Sequence, residues 1–313
     1  MNKIEKATSK YRHPWSGLIY ILVTVAVLTL TAGPVFAFEA GASEWIKTKQ
    51  TSIRLISKTK TAGDSKSLSL GLHFKLKPGW KIYWRSPGDA GFPPEPNWGS
   101  SENVESATLR WPAPERFSVL GLETLGYTRE VVLPITIKRS NTTKPLQLSG
   151  NVRYLVCDKV CIPYDADIAL RLEMGDESPS RFAHLINRFE VTVPSDGKHH
   201  RIFIDAAETW SEGNSTWLRI KASSTLPFQN PDLFPEGPPV VTFSKPSITL
   251  GPKGHTAILD MRVFGVGELN DRVGMTLVGR ELTLTIVDGG RSAETKSNVY
   301  FANPNLIAQK PVS

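Results

Sequence analysis

This sequence has only two cysteines, no cluster of lysine and arginine, and no long apolar run beyond its first 37 residues. Without a later run of ~20 apolar residues, no membrane-spanning helix is expected in the rest of the chain. Without a basic cluster, the formal net charge of +7 does not indicate nucleic acid as a partner. There is no C-x-x-C motif and no βαβ pattern, which excludes a thioredoxin fold.

Residues 1–37 have the layout of a secretory signal peptide. Four basic residues precede the apolar run Leu18–Leu30, and a helix-breaking Gly-Pro pair follows it. Val35 and Ala37 then place small residues at the −3 and −1 positions of a cleavage site. The apolar run is shorter than the ~20 residues of a spanning helix, so we predict an exported chain. An uncleaved N-terminal membrane anchor is the alternative.

The remaining chain has the pattern of an all-β protein. Glycine and proline together make up 47 of 313 residues, which favours many turns between short strands. In residues 67–77 leucine and phenylalanine alternate with polar residues, as in a strand with one buried face. Further strands are predicted at 131–139, 146–156 and 166–174. These segments predict a first β-sandwich at 50–174.

A second set of strands follows a short helical segment. Ser178 is the predicted N-cap of a helix in which four apolar residues fall at i, i+3, i+4 and i+7. They are Phe182, Leu185, Ile186 and Phe189. From about residue 199 the strand pattern resumes at the spacing of a sandwich or barrel. We therefore predict a second sandwich at 199–313, joined to the first by a helix and linker at 175–198.

The two cysteines lie four positions apart in YLVCDKVCIPYD, residues 154–165. In an extended chain their Cα atoms would be ~13 Å apart, whereas a disulfide needs roughly 4.4–6.8 Å. The chain must therefore turn through residues 158–160 if the thiols are to meet. Because valine, isoleucine and proline surround the pair, a helical turn is disfavoured, and we predict a tight loop between two strands.

Three interpretations of Cys157 and Cys161 stay open on local chemistry alone. A structural disulfide would close a ring of about five residues and contribute only ~2 kcal/mol in the loop-entropy model. A metal site lacks ligands, because His199 and His200 are distant in sequence and Met174 is the only thioether within reach. A redox pair could exchange with another protein's disulfide, the second thiol resolving the mixed intermediate. No metal or other cofactor is predicted.

Four segments of the first predicted sandwich match one family, in that family's order. They are GWKIYWRSPGDAG (79–91), WPAPERF (111–117), LGYTREVVLPI (125–135) and YLVCDKVCIPYD (154–165). On these segments, residues 50–174 resemble the N-terminal periplasmic domain of the DsbD-type protein-disulfide reductases. The resemblance implies an immunoglobulin-like sandwich in which Cys157 and Cys161 are the catalytic pair. Residues 199–313 look like the extra sandwich of ScsB-like members.

The resemblance also implies partners. The domain would take electrons from a membrane-embedded thiol reductase and pass them to oxidised periplasmic thioredoxin-like proteins, with a connection to cytochrome c biogenesis. In full-length family members a membrane domain and a thioredoxin-like domain follow. Neither follows in these 313 residues, so we expect a separate membrane protein as electron donor. The alternative function is a non-enzymatic β-sandwich binding module with a structural disulfide.

In the family, a cap loop lays an aromatic side chain over the cysteines and opens when a partner docks. The matching loop is Glu115–Tyr127, which implies Phe117 as the shielding aromatic and Tyr127 as a second candidate. Gly121 and Gly126 would permit the loop to move. For each aromatic the alternative is an ordinary core position.

Local chemistry does not strongly choose the attacking cysteine, because Lys159 lies midway between the two thiols. Cys157 continues an apolar strand and is expected to be the more buried. Cys161 precedes Pro163, which favours an exposed edge. The resemblance points the same way, since the family's second cysteine forms the mixed disulfide. We therefore predict that Cys161 engages the partner and Cys157 resolves the complex.

Overall fold

The first half of the chain folds into a β-sandwich of two antiparallel sheets. A computed structural model describes residues 39–119, 121–269 and 274–302, so the predicted signal peptide lies outside the described residues. The strands of the first sandwich are β1 (Ile46–Lys47), β2 (Thr51–Ser57), β3 (Ser67–Leu76), β4 (Lys81–Gly88), β5 (Glu95–Asn97), β6 (Val104–Leu109), β7 (Glu115–Val119), β8 (Leu122–Thr128), β9 (Glu130–Arg139), β10 (Leu146–Cys157) and β11 (Cys161–Leu172). One sheet has the order β1-β2-β3-β9-β6. The other has the order β11-β10-β4-β8-β7, with β5 paired to β10, and is called the disulfide sheet below.

The core between these sheets includes the alternating apolar residues from which β3 was predicted. In β3 the five alternating apolar residues are all buried, namely Leu68, Leu70, Leu72, Phe74 and Leu76. His73 faces the opposite side, as predicted, but it is only 1% exposed. Trp45 lies against its ring, with the ring centroids 4.8 Å apart. The second face of β3 is therefore covered as well, which the strand pattern did not indicate.

One helix, α1 (Ala183–Glu190), packs on that outer face. Ile186 and Phe182 join an apolar cluster with Ile56 and Val132, so the helical spacing is confirmed. The predicted N-cap at Ser178 was wrong. Pro179 instead forms an isolated β-bridge with Thr59, and extended chain at this point delays the start of the helix.

The second half of the chain forms another sandwich. Its strands are β12 (Ile202–Glu212), β13 (Ser215–Ser224), β14 (Pro231–Glu236), β15 (Thr242–Phe243), β16 (Ser247–Leu250), β17 (Thr256–Phe264), β18 (Glu281–Asp288), β19 (Arg291–Asn298) and β20 (Tyr300–Phe301). One sheet has the order β15-β17-β13-β12-β20, with β16 paired to β17, and the other has the order β14-β18-β19. Short 3₁₀ turns occur at Pro252–Gly254 and Val266–Glu268.

The predicted fold class, all-β with two sandwiches joined by a short helix and linker, is confirmed. Each sandwich has its own main cluster of buried apolar residues. Within the described ranges, no helix has both the length and the apolar character needed to cross a membrane.

Candidate functional site

The two cysteines form a disulfide at the tip of the β10–β11 hairpin. Cys157 is the last residue of β10 and Cys161 the first of β11, and the two are register partners. Their Sγ atoms are 2.09 Å apart and their Cα atoms 4.2 Å apart. The backbone N–H of Asp158 donates to the carbonyl of Val160 at 3.1 Å within the connecting turn. The predicted tight loop between two strands is therefore confirmed.

The two cysteines differ sharply in exposure. Cys157 is 1% exposed and belongs to a small apolar cluster with Tyr83 and Leu155. Phe92 packs against the same cluster. Cys161 is exposed at the start of the returning strand. The prediction that Cys157 is the more buried cysteine is therefore confirmed.

This cluster lies on the outer face of the disulfide sheet. Val156 and Ile82 pair across β10 and β4, and both belong to the core. Because successive residues of a strand point to opposite faces, Cys157 and its register partner Lys81 point outward. Tyr83 shares this outward face, two residues along β4 from Lys81. The disulfide is thus set on the surface of the sandwich and not in its core.

Tyr83 contacts Cys161 through its hydroxyl group. Its hydroxyl oxygen lies 3.8 Å from Sγ of Cys161. Burial raises the pKa of the phenol, so Tyr83 keeps its proton at neutral pH and can donate a hydrogen bond to sulfur.

The chain after β4 folds back over Tyr83 because residue 91 is glycine. A Cβ on Gly91 would lie 2.4 Å from Cζ of Tyr83, and its φ of +99° is in the region that favours glycine. This close approach places Phe92 on the cluster around Cys157. The guanidinium of Arg153 lies 4.6 Å from the centroid of the Phe92 ring. Sequence analysis missed Phe92, although SPGDAGF contains the two glycines that such a return of the chain requires.

The predicted cap loop is a regular hairpin. Residues 115–119 of β7 pair antiparallel with residues 122–126 of β8. Phe117 is half-buried, and its ring centroid lies 5.0 Å from Nζ of Lys81. Lys81 is the register partner of Cys157 and points to the outer face. Phe117 contacts Lys81, so it lies on that face too, separated from the disulfide by the lysine side chain. Its shielding role stays a prediction.

Tyr127 occupies a different environment from Phe117. It is 6% exposed and belongs to the core of the sandwich, on the side of β8 that faces away from the disulfide. Its hydroxyl donates to the carbonyl of Pro112 at 2.7 Å. Tyr127 therefore occupies an ordinary core position, the alternative to its shielding role, and its ring faces away from Cys157.

Lys81 is the charged group that sequence analysis overlooked. It is only 6% exposed and lies beside Cys157 in the ladder. Burial lowers the pKa of its ammonium group, and the carboxylate of Asp158 opposes that effect. Within the described part of the chain, no group of three or more His, Cys, Asp and Glu side chains is arranged to hold a metal ion.

Residues 54–173 match the family described as "Thiol:disulfide interchange protein DsbD, N-terminal". These residues are a DsbD-type N-terminal domain. The crystal structure of the N-terminal periplasmic domain of ScsB from Proteus mirabilis has a TM-score of 0.64 and 25% sequence identity to this chain, and the match covers 84% of this chain and 100% of the ScsB domain. The predicted family resemblance is therefore confirmed, and with it the immunoglobulin-like character of the sandwiches.

The region that follows the DsbD-type domain matches a family without an assigned role. Residues 192–302 match "Domain of unknown function (DUF8393)". A marsupial T cell receptor aligns with 80% of this chain and 97% of its own length at 10% identity, but its TM-score of 0.17 supports no conclusion. No curated protein matches the sequence. The disulfide thus lies in a domain of a thiol–disulfide interchange family, next to a sandwich of unknown role.

Proposed function

We propose that this chain is a periplasmic thiol–disulfide exchange module that acts as a protein-disulfide reductase component. Electrons would come from a membrane-embedded thiol reductase and go to oxidised thioredoxin-like proteins. The observation that carries the proposal is the disulfide at the hairpin tip of a DsbD-type domain, exposed at Cys161 and covered at Cys157. With one sulfur exposed and the other protected, the exposed thiol can form a mixed disulfide with a partner and the protected thiol can resolve it.

Reduction of the module takes two exchange steps. A thiolate of the donor attacks Sγ of Cys161, the Cys157–Cys161 bond breaks, and Cys157 leaves as a thiolate. The donor's second thiolate then attacks the donor sulfur of the mixed disulfide and releases Cys161. Two electrons have passed to the module, and the donor has become a disulfide.

Delivery of the electrons reverses the roles. The Cys161 thiolate attacks the disulfide of the acceptor, and one acceptor cysteine leaves as a thiolate. The Cys157 thiolate then attacks Sγ of Cys161, which frees the second acceptor cysteine and re-forms the internal disulfide. Cys157 needs no access to the partner in either direction, which agrees with its burial.

The surroundings of the cysteines suit these steps. The ammonium of Lys81, on the strand next to Cys157, favours the thiolate that Cys157 becomes when the disulfide opens. The hydroxyl of Tyr83 can donate to the sulfur of Cys161. Tyr83 and Phe92 cover Cys157 and would slow its non-specific oxidation. We propose that Phe117 extends this cover through its contact with Lys81.

The proposed location is supported by two observations. The ScsB domain that this chain resembles is described as periplasmic, and residues 1–37 have the pattern of a signal peptide. A link to cytochrome c biogenesis, carried over from the family, is a prediction about the acceptor.

A trapping experiment tests the proposal. Cys157→Ser removes the resolving thiol, so a reduced variant mixed with an oxidised thioredoxin-like protein should accumulate a covalent complex on a non-reducing gel. Cys161→Ser is the matched control and should form none. The opposite pattern would exchange the two roles. No complex with either variant, together with a reduction potential far below about −300 mV, would instead favour a binding module with a structural disulfide.

A further inference from the structure

A side chain of the second sandwich completes the core of the first. Phe234 lies in β14 and is 2% exposed, and it is grouped with the buried residues of the first sandwich. Its ring packs edge-to-face against Trp84 of β4, with the centroids 6.1 Å apart. At this end of the disulfide sheet, the core of the first sandwich is therefore covered by a residue of the second sandwich.

Arg116 of β7 binds the same strand of the second sandwich. Its Nε and Nη2 donate to the two carboxylate oxygens of Asp232 at 2.8 and 3.0 Å, and Nη2 also donates to the carbonyl of Leu233 at 3.0 Å. Its guanidinium lies 5.1 Å from the centroid of the Phe234 ring. Because the side chain of Arg116 is only 12% exposed, this bidentate pair is poorly screened and geometrically restrictive.

Arg85 makes a third connection. Its Nε donates to both carboxylate oxygens of Glu236 at 3.0 and 3.1 Å, and its Nη2 donates to Glu294. The hydroxyl of Thr285 donates to Glu294 at 2.8 Å and orients that carboxylate. The guanidinium of Arg85 also stacks over Trp84 at 4.5 Å. Two arginines and one phenylalanine thus join the sandwiches.

These connections reach the two strands that carry the surroundings of the disulfide. Arg116 directly precedes Phe117 in β7. Trp84 and Arg85 directly follow Tyr83 in β4. A displacement of either strand would therefore move an aromatic side chain that lies on the outer face with Cys157.

We propose that the second sandwich braces the redox site. Through Asp232, Phe234 and Glu236 it holds β4 and β7 in place, and so keeps the aromatic side chains over Cys157 and slows opening of the cover. This assigns a role to the region that matches the domain of unknown function. The inference rests on the proposed function only in that the cluster around Cys157 is called a redox site. The contacts between the sandwiches and the experiment below do not depend on that function.

The brace can be tested in the full chain by alkylation and hydrogen exchange, neither of which needs a redox partner. Phe234→Ala and Arg116→Gln are made in a Cys161→Ser background, which leaves Cys157 as the single thiol. Iodoacetamide should modify Cys157 about tenfold faster in both variants, as expected if opening becomes ~1.4 kcal/mol easier. Amides of β4, β7 and β8 should exchange faster by a similar factor, while those of β2 and β3 should not change.

Matched controls are Phe203→Ala, at an exposed phenylalanine of the second sandwich, and Arg171→Gln, at an exposed ion pair of the first. Both should leave the alkylation rate unchanged. If Phe234→Ala prevents folding, Asp232→Asn replaces it as the milder change. Unchanged alkylation, or faster exchange spread evenly over all strands, would overturn the brace. If these variants behave as expected but Cys157→Ser traps no complex with a thioredoxin-like protein, only the proposed redox function is contradicted.

Discussion

The two sandwiches share an architecture but differ in what the outer face of their central strands carries. In the first, that face bears the buried Cys157, the aromatic side chain of Tyr83, and Lys81, whose ammonium lies over the ring of Phe117. In the second, the outer face of β12, β13 and β17 carries ion pairs. Arg219 holds Asp260 through two bonds of 2.7 Å, and Lys221 holds Glu208 at 2.7 Å. On this face the cations of the second sandwich pair with carboxylates, whereas Lys81 of the first contacts an aromatic ring and is the register partner of Cys157.

The largest stability effect should come from breaking this pairing in the second sandwich. Arg219→Met leaves the largely buried carboxylate of Asp260 without its guanidinium, so the free energy of unfolding should fall by about 2–3 kcal/mol. Denaturant unfolding measures this. Arg171→Met, at an exposed pair with Glu173, is the control and should cost under about 1 kcal/mol. Equal losses would remove the contrast between the two kinds of pair.

Acidification should destabilise the first sandwich through His73. Burial lowers the pKa of His73 to about 4, below the ~6.5 of an unfolded chain. The folded state then binds fewer protons than the unfolded state between these values, so stability falls as the pH falls through this window. The loss from pH 7 to 4.5 should be about 2–3 kcal/mol.

His73→Gln separates this effect from other titrating groups, because glutamine keeps a donor for Glu130 but does not titrate in this range. Urea unfolding at pH 7 and pH 4.5 is compared for the two proteins. The same pH dependence in the variant would show that His73 is not its cause.

A smaller effect is expected from the cation beside the disulfide. In the Cys161→Ser background, Lys81→Met should disfavour the Cys157 thiolate, because the thiolate loses its neighbouring positive charge. Alkylation at pH 7 should then slow about tenfold, and its pH profile should shift upward. Lys159→Met is the matched control at an exposed turn position. A profile that moves no more for Lys81 than for Lys159 would contradict a role for Lys81.

The smallest change is expected at the edge of the cover. Phe117→Ala removes the ring that contacts the ammonium of Lys81, a contact of about 0.5–1 kcal/mol, so alkylation of the reduced thiols should accelerate about two- to fivefold. Stability should change little, because Phe117 is only half-buried. Phe203→Ala serves again as the control. Unchanged kinetics would restrict the cover to Tyr83 and Phe92.

Much of the candidate site could be predicted from short-range pattern. The spacing of Cys157 and Cys161 demanded a turn, and the apolar strand before Cys157 indicated which of them is buried. The cover could be predicted only in part. Tyr127 and Phe117 are close in sequence, but strand parity places Tyr127 in the core and Phe117 on the outer face. Phe92 was missed because its position depends on the irregular return of the chain over Tyr83.

The sequence by itself determined the all-β class, the two sandwiches and the hairpin that pairs the cysteines, because these follow from the period of two and from the reach of four residues. Only the tertiary structure decided what surrounds the disulfide. Lys81 lies 76 positions before Cys157, and Phe234 lies 150 positions after Trp84, and no local pattern encodes such meetings. They arise because strand order in the sheets and packing between the sandwiches bring distant segments together.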